Sequence, residues 1–272
     1  GSLSKGNSDV IMLANIDTKQ HTINLVSVYR DSYLDTGSGT YQKCNAAYAK
    51  GGPEQALSML NTNLDLAITN YVTVDFNAII ECVDLLGGVD ITITDDEASL
   101  MIGYMKELNE LTGHNSTPPA SGGTYTLDGV QACAYARIRY GGGDDYRRTE
   151  RQRTVLTAMM QKAQKSNILT LNKLINAAFG DIQTSFSNTD LLALATKVFS
   201  YDIGDTTGFP YEKTTHKYDK IGDVVIPCDL ASNVTQLHQF LFNDENYTPS
   251  ATVLSNSQQI ISNTGYKQGD GH

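Results

Sequence analysis

Apolar positions recur along this chain with two different periods, and they predict strands alternating with helices. Val10–Ile16 and Thr22–Val28 are apolar-rich runs separated by polar Asp17-Thr18-Lys19-Gln20, the signature of a β-hairpin. The second run leads into Tyr29-Arg30-Asp31, so charged groups emerge at a strand end, where α/β folds commonly build their sites. From Pro53 to Leu64 the period changes to that of a helix, with Ala56, Leu57, Leu60 and Leu64 on one face. Ala67–Val74 reads as a strand. Asp75 then caps a helix whose Phe76, Ile79, Ile80, Val83 and Leu86 share a face, and Gly87-Gly88 ends it before an alternating strand, Val89–Ile93.

Residues 112–124 are rich in Thr, Ser, Gly and Pro and read as a surface loop. Asp128, with Gln131 three positions later, predicts a capping box that starts a helix running towards Arg137. Gly141-Gly142-Gly143 breaks it, a longer helix follows from about Tyr146 to Lys165, and amphipathic helices are predicted near Leu171–Phe179 and Asp190–Tyr201. The predicted class is α/β, a central mixed sheet flanked by helices. The expected layout is a linker over 1–7, a domain over 8–205, and a less regular extension over 206–272 packed on that domain.

Charge sharpens this picture. Six of the seven arginines lie within residues 137–153, while the chain as a whole carries a net charge of −10. Guanidinium groups at 4 Å repel by about 4 kcal/mol at an effective dielectric of 20, so clustering them needs a compensating anion. The planar fork of arginine matches phosphate oxygens, which makes phosphate or pyrophosphate the first expectation. The competing reading is an exposed helix carrying pairs such as Arg147 with Glu150. An acidic chain disfavours general nucleic-acid binding, which needs a basic face, and no nucleic-acid partner is expected.

Other chemistries lack their motifs. The sequence contains no GxxxxGK[ST], GxGxxG, GxSxG or HExxH, and its four cysteines form no CxxC pair. Cys82 and Cys133 sit among apolar residues as small buried hydrophobes, and a disulfide through Cys44 or Cys228 stays open. No run reaches the roughly 18 apolar residues of a membrane span.

Several motifs together resemble one family. Ser8-Asp9-Val10-Ile11-Met12-Leu13 followed by Val26-Ser27-Val28-Tyr29-Arg30-Asp31 is similar to the opening of the LytR-CpsA-Psr domain, although Asn7 and Tyr29 replace its usual arginine and proline. Lys43-Cys44-Asn45-Ala46-Ala47-Tyr48, Gly51-Gly52 and Val83-Asp84-Leu85-Leu86-Gly87-Gly88-Val89 resemble the elements that come next, in family order. So do Ala134-Tyr135-Ala136-Arg137-Ile138-Arg139 and the run from Asp145 to Arg153.

The resemblance implies a Mg2+-dependent phosphotransferase of the bacterial cell envelope. Such an enzyme moves a glycopolymer, teichoic acid or capsular polysaccharide, from a polyprenyl-pyrophosphate carrier to peptidoglycan. It also implies an apolar lipid-binding pocket, a place at the extracellular face of the cytoplasmic membrane, and attachment through an N-terminal anchor outside this sequence. Phosphoryl transfer depends on positioning and charge neutralisation, which suits the arginines. On this reading Arg30, Arg139 and Arg148 act catalytically and, with Arg137, clamp pyrophosphate oxygens. Gln152, Lys43 and Arg151 contribute to substrate binding, and Asp145 serves as base for the acceptor hydroxyl or orients the arginines. Asp9, by family match, is the Mg2+ ligand. The alternatives are a carrier-lipid-binding module without catalysis, and a pyrophosphatase using water as acceptor.

Overall fold

A polar turn converts the first two apolar runs into a hairpin. In the computed structural model, β1 (Met12–Asp17) pairs antiparallel with β2 (Thr22–Val28), in register from Met12 opposite Ser27 to Asp17 opposite Thr22. The Asp17 carboxylate accepts the amides of Lys19 and Gln20 at 2.8 and 3.0 Å, closing the turn. The structure describes residues 6–139, 145–167, 169–171, 173–174 and 182–271.

After β2 come β3 (Tyr33–Asp35), β4 (Tyr41–Lys43) and α1 (Ala46–Leu64). α1 begins earlier than its periodicity suggested and bends at Gly51-Gly52, where Gly52 adopts φ +66°. Pro53 then opens the straight segment, a position where its missing N–H costs nothing. The expected strand 67–74 is confined to β5 (Val72–Val74). α2 (Phe76–Leu85) starts on an Asp75 side chain that accepts the Ala78 amide, and β6 (Val89–Ile93) follows the glycine pair.

A helix that the apolar pattern left unread, α3 (Asp95–Thr112), comes next and is closed at its start by a Thr94/Glu97 capping box. β7 (Gly123–Leu127), α4 (Gly129–Arg137) and α5 (Asp145–Gln164) follow, and the Asp128/Gln131 capping box is present as expected. The expected helix 171–179 falls mostly outside the described residues. Beyond it are β8 (Ile182–Thr184), α6 (Asn188–Lys197) and a 3-10 turn at Val198–Ser200.

The C-terminal part is more regular than the expected extension. It forms β9 (Asp202–Phe209), β10 (Lys213–Tyr218), β11 (Gly222–Pro227), α7 (Leu230–Phe242) and α8 (Ala251–Thr264). Its strands are rich in Gly, Thr, Lys and Asp, so their pairing leaves little alternation to read. These elements complete a unit with the N-terminal strands rather than ending the chain as an appendage.

Contacts divide the chain into two units, residues 1–71 with 204–272, and residues 72–203. In the first, β1, β2 and β9 form one sheet, while β3–β4 and β10–β11 are antiparallel pairs joined by a parallel bridge from Ser32 to Val225. Leu34, Met59, Leu64, Phe209 and Ile226 lie in its core. In the second unit, β5 pairs with β8 and β6 with β7. Ile80, Val83, Met101, Met105, Leu127, Ile138 and Val155 fill that unit's core, so these apolar faces of α2 and α5 pack as core. All four cysteines are free thiols, which closes the disulfide question. Among the described residues no helix is long and apolar enough to cross a membrane.

Candidate functional site

The turn after β2 is fixed by backbone bonds before any side chain is considered. Ser32 donates to the Tyr29 carbonyl at 2.9 Å, Asn45 to the Arg30 carbonyl at 3.1 Å, Val225 to the Asp31 carbonyl at 2.9 Å, and Cys44 to the Ser32 carbonyl at 2.8 Å. The buried Cys44 thiol lies 3.3 Å from both the Tyr29 and Arg30 carbonyls, and burial raises its pKa far above the ordinary thiol range. It is a structural donor rather than a nucleophile. Arg30 and Asp31 are therefore projected from a turn held by β4, β11 and the start of α1.

Four charged side chains meet there. Arg30 donates to Asp9, Arg30 Nε lies 3.7 Å from Asp31 Oδ2, and Lys43 Nζ lies 3.1 Å from Asp31 Oδ1. Asp9, Arg30 and Lys43 were expected from the sequence. Asp31 belongs to the same motif, and its adjacency to Arg30 is the sequence signal for its place in the cluster. Two cations alternate with two carboxylates, so an incoming phosphate must compete with Asp9 and Asp31 for the guanidinium and the ammonium.

Magnesium binds through one or two carboxylates plus substrate phosphates and keeps waters. The residues here fit the Mg2+ expected from the resemblance: Asp9 and Asp31 would supply the carboxylates. Buried Ser32 Oγ on this turn and Asn45 Oδ1 at the start of α1 are hard oxygen atoms with no hydrogen-bond partner among the described residues. No group of three or more His, Cys, Asp or Glu side chains converges among the described residues, so substrate oxygens and water would complete the shell.

Arg30 belongs to the first unit; Arg137, Arg139 and Arg148 belong to the second. There, α5 buries two arginines: Arg148 is 6% exposed and Arg151 6%, whereas Arg147 and Glu150 face solvent. Arg151 Nε donates to Glu97 Oε1 at 2.7 Å, and its Nη1 donates to the Ile138 carbonyl at 3.3 Å. One guanidinium thus ties α5 to α3 and to the residue just after α4. That brace fixes the backbone from which Arg139 emerges, so Arg151 sits as a positioning residue.

Arg137 is committed differently. Its Nη2 donates to both oxygens of Glu107, at 3.0 and 3.2 Å, and its Cζ lies 4.9 Å from the Phe76 ring centre and 5.6 Å from that of Tyr104. Neither Glu97 nor Glu107 was a candidate from the sequence, since both lie on the unread α3. The Thr94-Asp95-Asp96-Glu97 capping signature would have located that helix. Arg139 and Gln152 are half-buried. Asp145 opens α5, but its side chain lies outside the described residues.

Comparison with known proteins places these motifs. The LytR_cpsA_psr family model matches residues 3–219. The chain belongs to this family. It is 30% identical over 198 residues to the Enterococcus faecalis polyisoprenyl-teichoic acid–peptidoglycan teichoic acid transferase TagU, covering 72% of this chain and 60% of that protein. Matched to a crystal structure of Bacillus subtilis TagV, it gives a TM-score of 0.69 at 26% identity, covering 90% of this chain and 92% of that one. Matched to a structure of TagT bound to LI-WTA, it gives 0.70 at 22% identity, covering 89% and 86%. The chain spans roughly half the length of the curated relatives it matches, 60% of TagU and 48% of the Bacillus subtilis TagV protein.

Proposed function

We propose that this chain transfers a glycopolymer of the teichoic-acid or capsular type from a polyprenyl-pyrophosphate carrier to peptidoglycan, at the outer face of the bacterial cytoplasmic membrane. The observation that carries this reading is the Asp9–Arg30–Asp31–Lys43 cluster, built on the motif residues of a family whose relatives bear transferase names. In the reaction, an acceptor sugar hydroxyl attacks the polymer-side phosphorus. A phosphodiester forms to the acceptor, the bond from that phosphorus to the bridging oxygen breaks, and polyprenyl phosphate leaves with the electron pair. The hydroxyl proton passes to a base, for which Asp145 is the candidate.

Asp9 and Asp31 would hold Mg2+, which would supply charge neutralisation at the phosphates. Arg30 and Lys43 bind pyrophosphate oxygens, in competition with their carboxylate partners. In the second unit, Arg139 and Arg148 are the candidates for binding phosphoryl oxygens, a contribution that reaches about 10³–10⁵ in rate for a well-placed arginine. Gln152, one turn from Arg148 on the same helix face, donates a further hydrogen bond, and Arg137 lends positive potential while held by Glu107.

The test is turnover of a prenyl-pyrophosphate-linked saccharide with Mg2+, with and without soluble peptidoglycan strands. The reading expects prenyl monophosphate to appear only when acceptor is present, and EDTA to stop it. Equal release without acceptor would favour the pyrophosphatase alternative, and tight binding without turnover would favour a carrier-binding module.

A further inference from the structure

The first unit carries an open groove of about 930 Å3 on the β3–β4 hairpin and α8. Its floor is aromatic. Tyr33 lies 6.0 Å from Tyr41 and 6.2 Å from Tyr218, the latter ring tilted by only 27°. His216 continues the surface 4.5 Å beyond Tyr218.

One wall is made of amides. Asn256, Gln259 and Asn263 are spaced three and four apart on α8 and so share a face. They are tied to the rings. Tyr41 donates to Asn256 Oδ1 at 2.9 Å, Asn263 Nδ2 donates to the Tyr33 hydroxyl at 3.4 Å, and Gln259 Nε2 donates to Asn263 Oδ1 at 2.8 Å. Beneath them, buried Asn63 accepts the Asp35 amide and donates to the Asp35 carbonyl, at 3.1 and 2.8 Å, holding the hairpin to α1. The rings are thus oriented before a ligand arrives, which lowers the ordering cost of binding.

The chemistry of the lining selects its ligand. Among the described residues no Lys or Arg lines the groove, and the carboxylate that does, Asp35, is turned to the Gly37 and Gly39 amides. A phosphate would find no cation there, and a lipid tail would leave the amides unpaired. A sugar ring has an apolar C–H face that suits the negative face of an aromatic ring, and hydroxyls that both donate and accept, as amides do. We infer that this groove is a saccharide-binding subsite for the uncharged sugar units of a glycan.

Its position gives it a use under the proposed transfer reaction, on which this part rests. Tyr33 pairs with Lys43 at the end of the hairpin beside Arg30 and Asp31, and Asp35 pairs with Tyr41 at the groove end. Two residues of antiparallel strand span about 7 Å. The groove and the ion cluster thus share one hairpin, which suits a glycan bound as acceptor strand or as the first sugars of the polymer.

The experiment titrates the chain separately with uncrosslinked peptidoglycan glycan strands and with a soluble teichoic-acid polymer, following tyrosine fluorescence, which no tryptophan obscures. Gln259→Ala and Asn263→Ala are both at exposed helix positions and should keep the thermal midpoint of the wild type. The inference expects each to weaken one of the two glycans by about 10-fold, the effect of one lost hydrogen bond. The glycan that responds identifies the source. Unchanged affinity for both glycans in both variants, or no glycan binding at millimolar concentration, overturns the subsite. Donor turnover by the wild type with no groove effect would sink this inference alone, whereas glycan binding without donor turnover would sink the transfer reading.

Discussion

Replacing Arg151 by methionine is expected to destabilise the chain by about 3–5 kcal/mol, the usual cost of stranding one member of a buried ion pair. The pair it breaks is 7% and 11% exposed at its two side chains, so water reaches the remaining Glu97 carboxylate poorly. Loss of the bond to the Ile138 carbonyl adds to the damage. A second change, Glu97→Gln, should recover much of the loss. Glutamine keeps an oxygen for the Thr94 amide, as the capping box requires, while removing the stranded charge. Urea denaturation of wild type, Arg151→Met and the double variant checks this. If the single variant matches the wild type, Arg151 is not the brace that its contacts describe, and a direct substrate role regains ground.

Arg148→Lys is the larger test of chemistry. Lysine keeps the charge but loses the two-pronged plane. A side chain that clamps the phosphoryl group as its charge redistributes should lose about 100-fold in kcat, with a smaller change in KM. Arg148 is buried on the same helix face as Gln152, a setting that fixes its rotamer. Near-equal kcat values, measured at saturating donor and with the thermal midpoint intact, would reduce Arg148 to background potential.

Local signals carried the parts of the fold that were legible in the sequence. The β1–β2 hairpin follows from alternation and a polar turn, and α2 and α4 follow from Asp75, Asp128 and Gln131, all of which act within a few residues of themselves. α3 escaped because its buried apolar residues are only Ala98, Met101, Met105 and Leu108, diluted by acidic and polar neighbours. Of the strands from 202 to 227, β9 and β10 escaped because polar residues dominate them and β9 pairs with the distant β2, and β11 escaped because its short apolar run Val224–Ile226 is buried without alternation.

The same division holds for the site. Arg30, Lys43 and Asp9 were visible through motifs, but the function of an arginine depends on what lies opposite. Glu97 is 54 residues from Arg151, and Glu107 is 30 from Arg137. No spacing rule joins such pairs, so the sequence could not show that Arg151 braces α5 against α3, that Arg137 is held by Glu107 over an aromatic ring, or that Arg148 is buried.

The central claim, transfer to a sugar hydroxyl rather than to water, is tested most directly by running the reaction in oxygen-18 water and weighing the polymer product. The account predicts a phosphodiester to the acceptor glycan that carries no oxygen-18, because the attacking oxygen comes from the sugar. A phosphomonoester carrying one oxygen-18 atom, formed at the same rate with or without peptidoglycan, would contradict it.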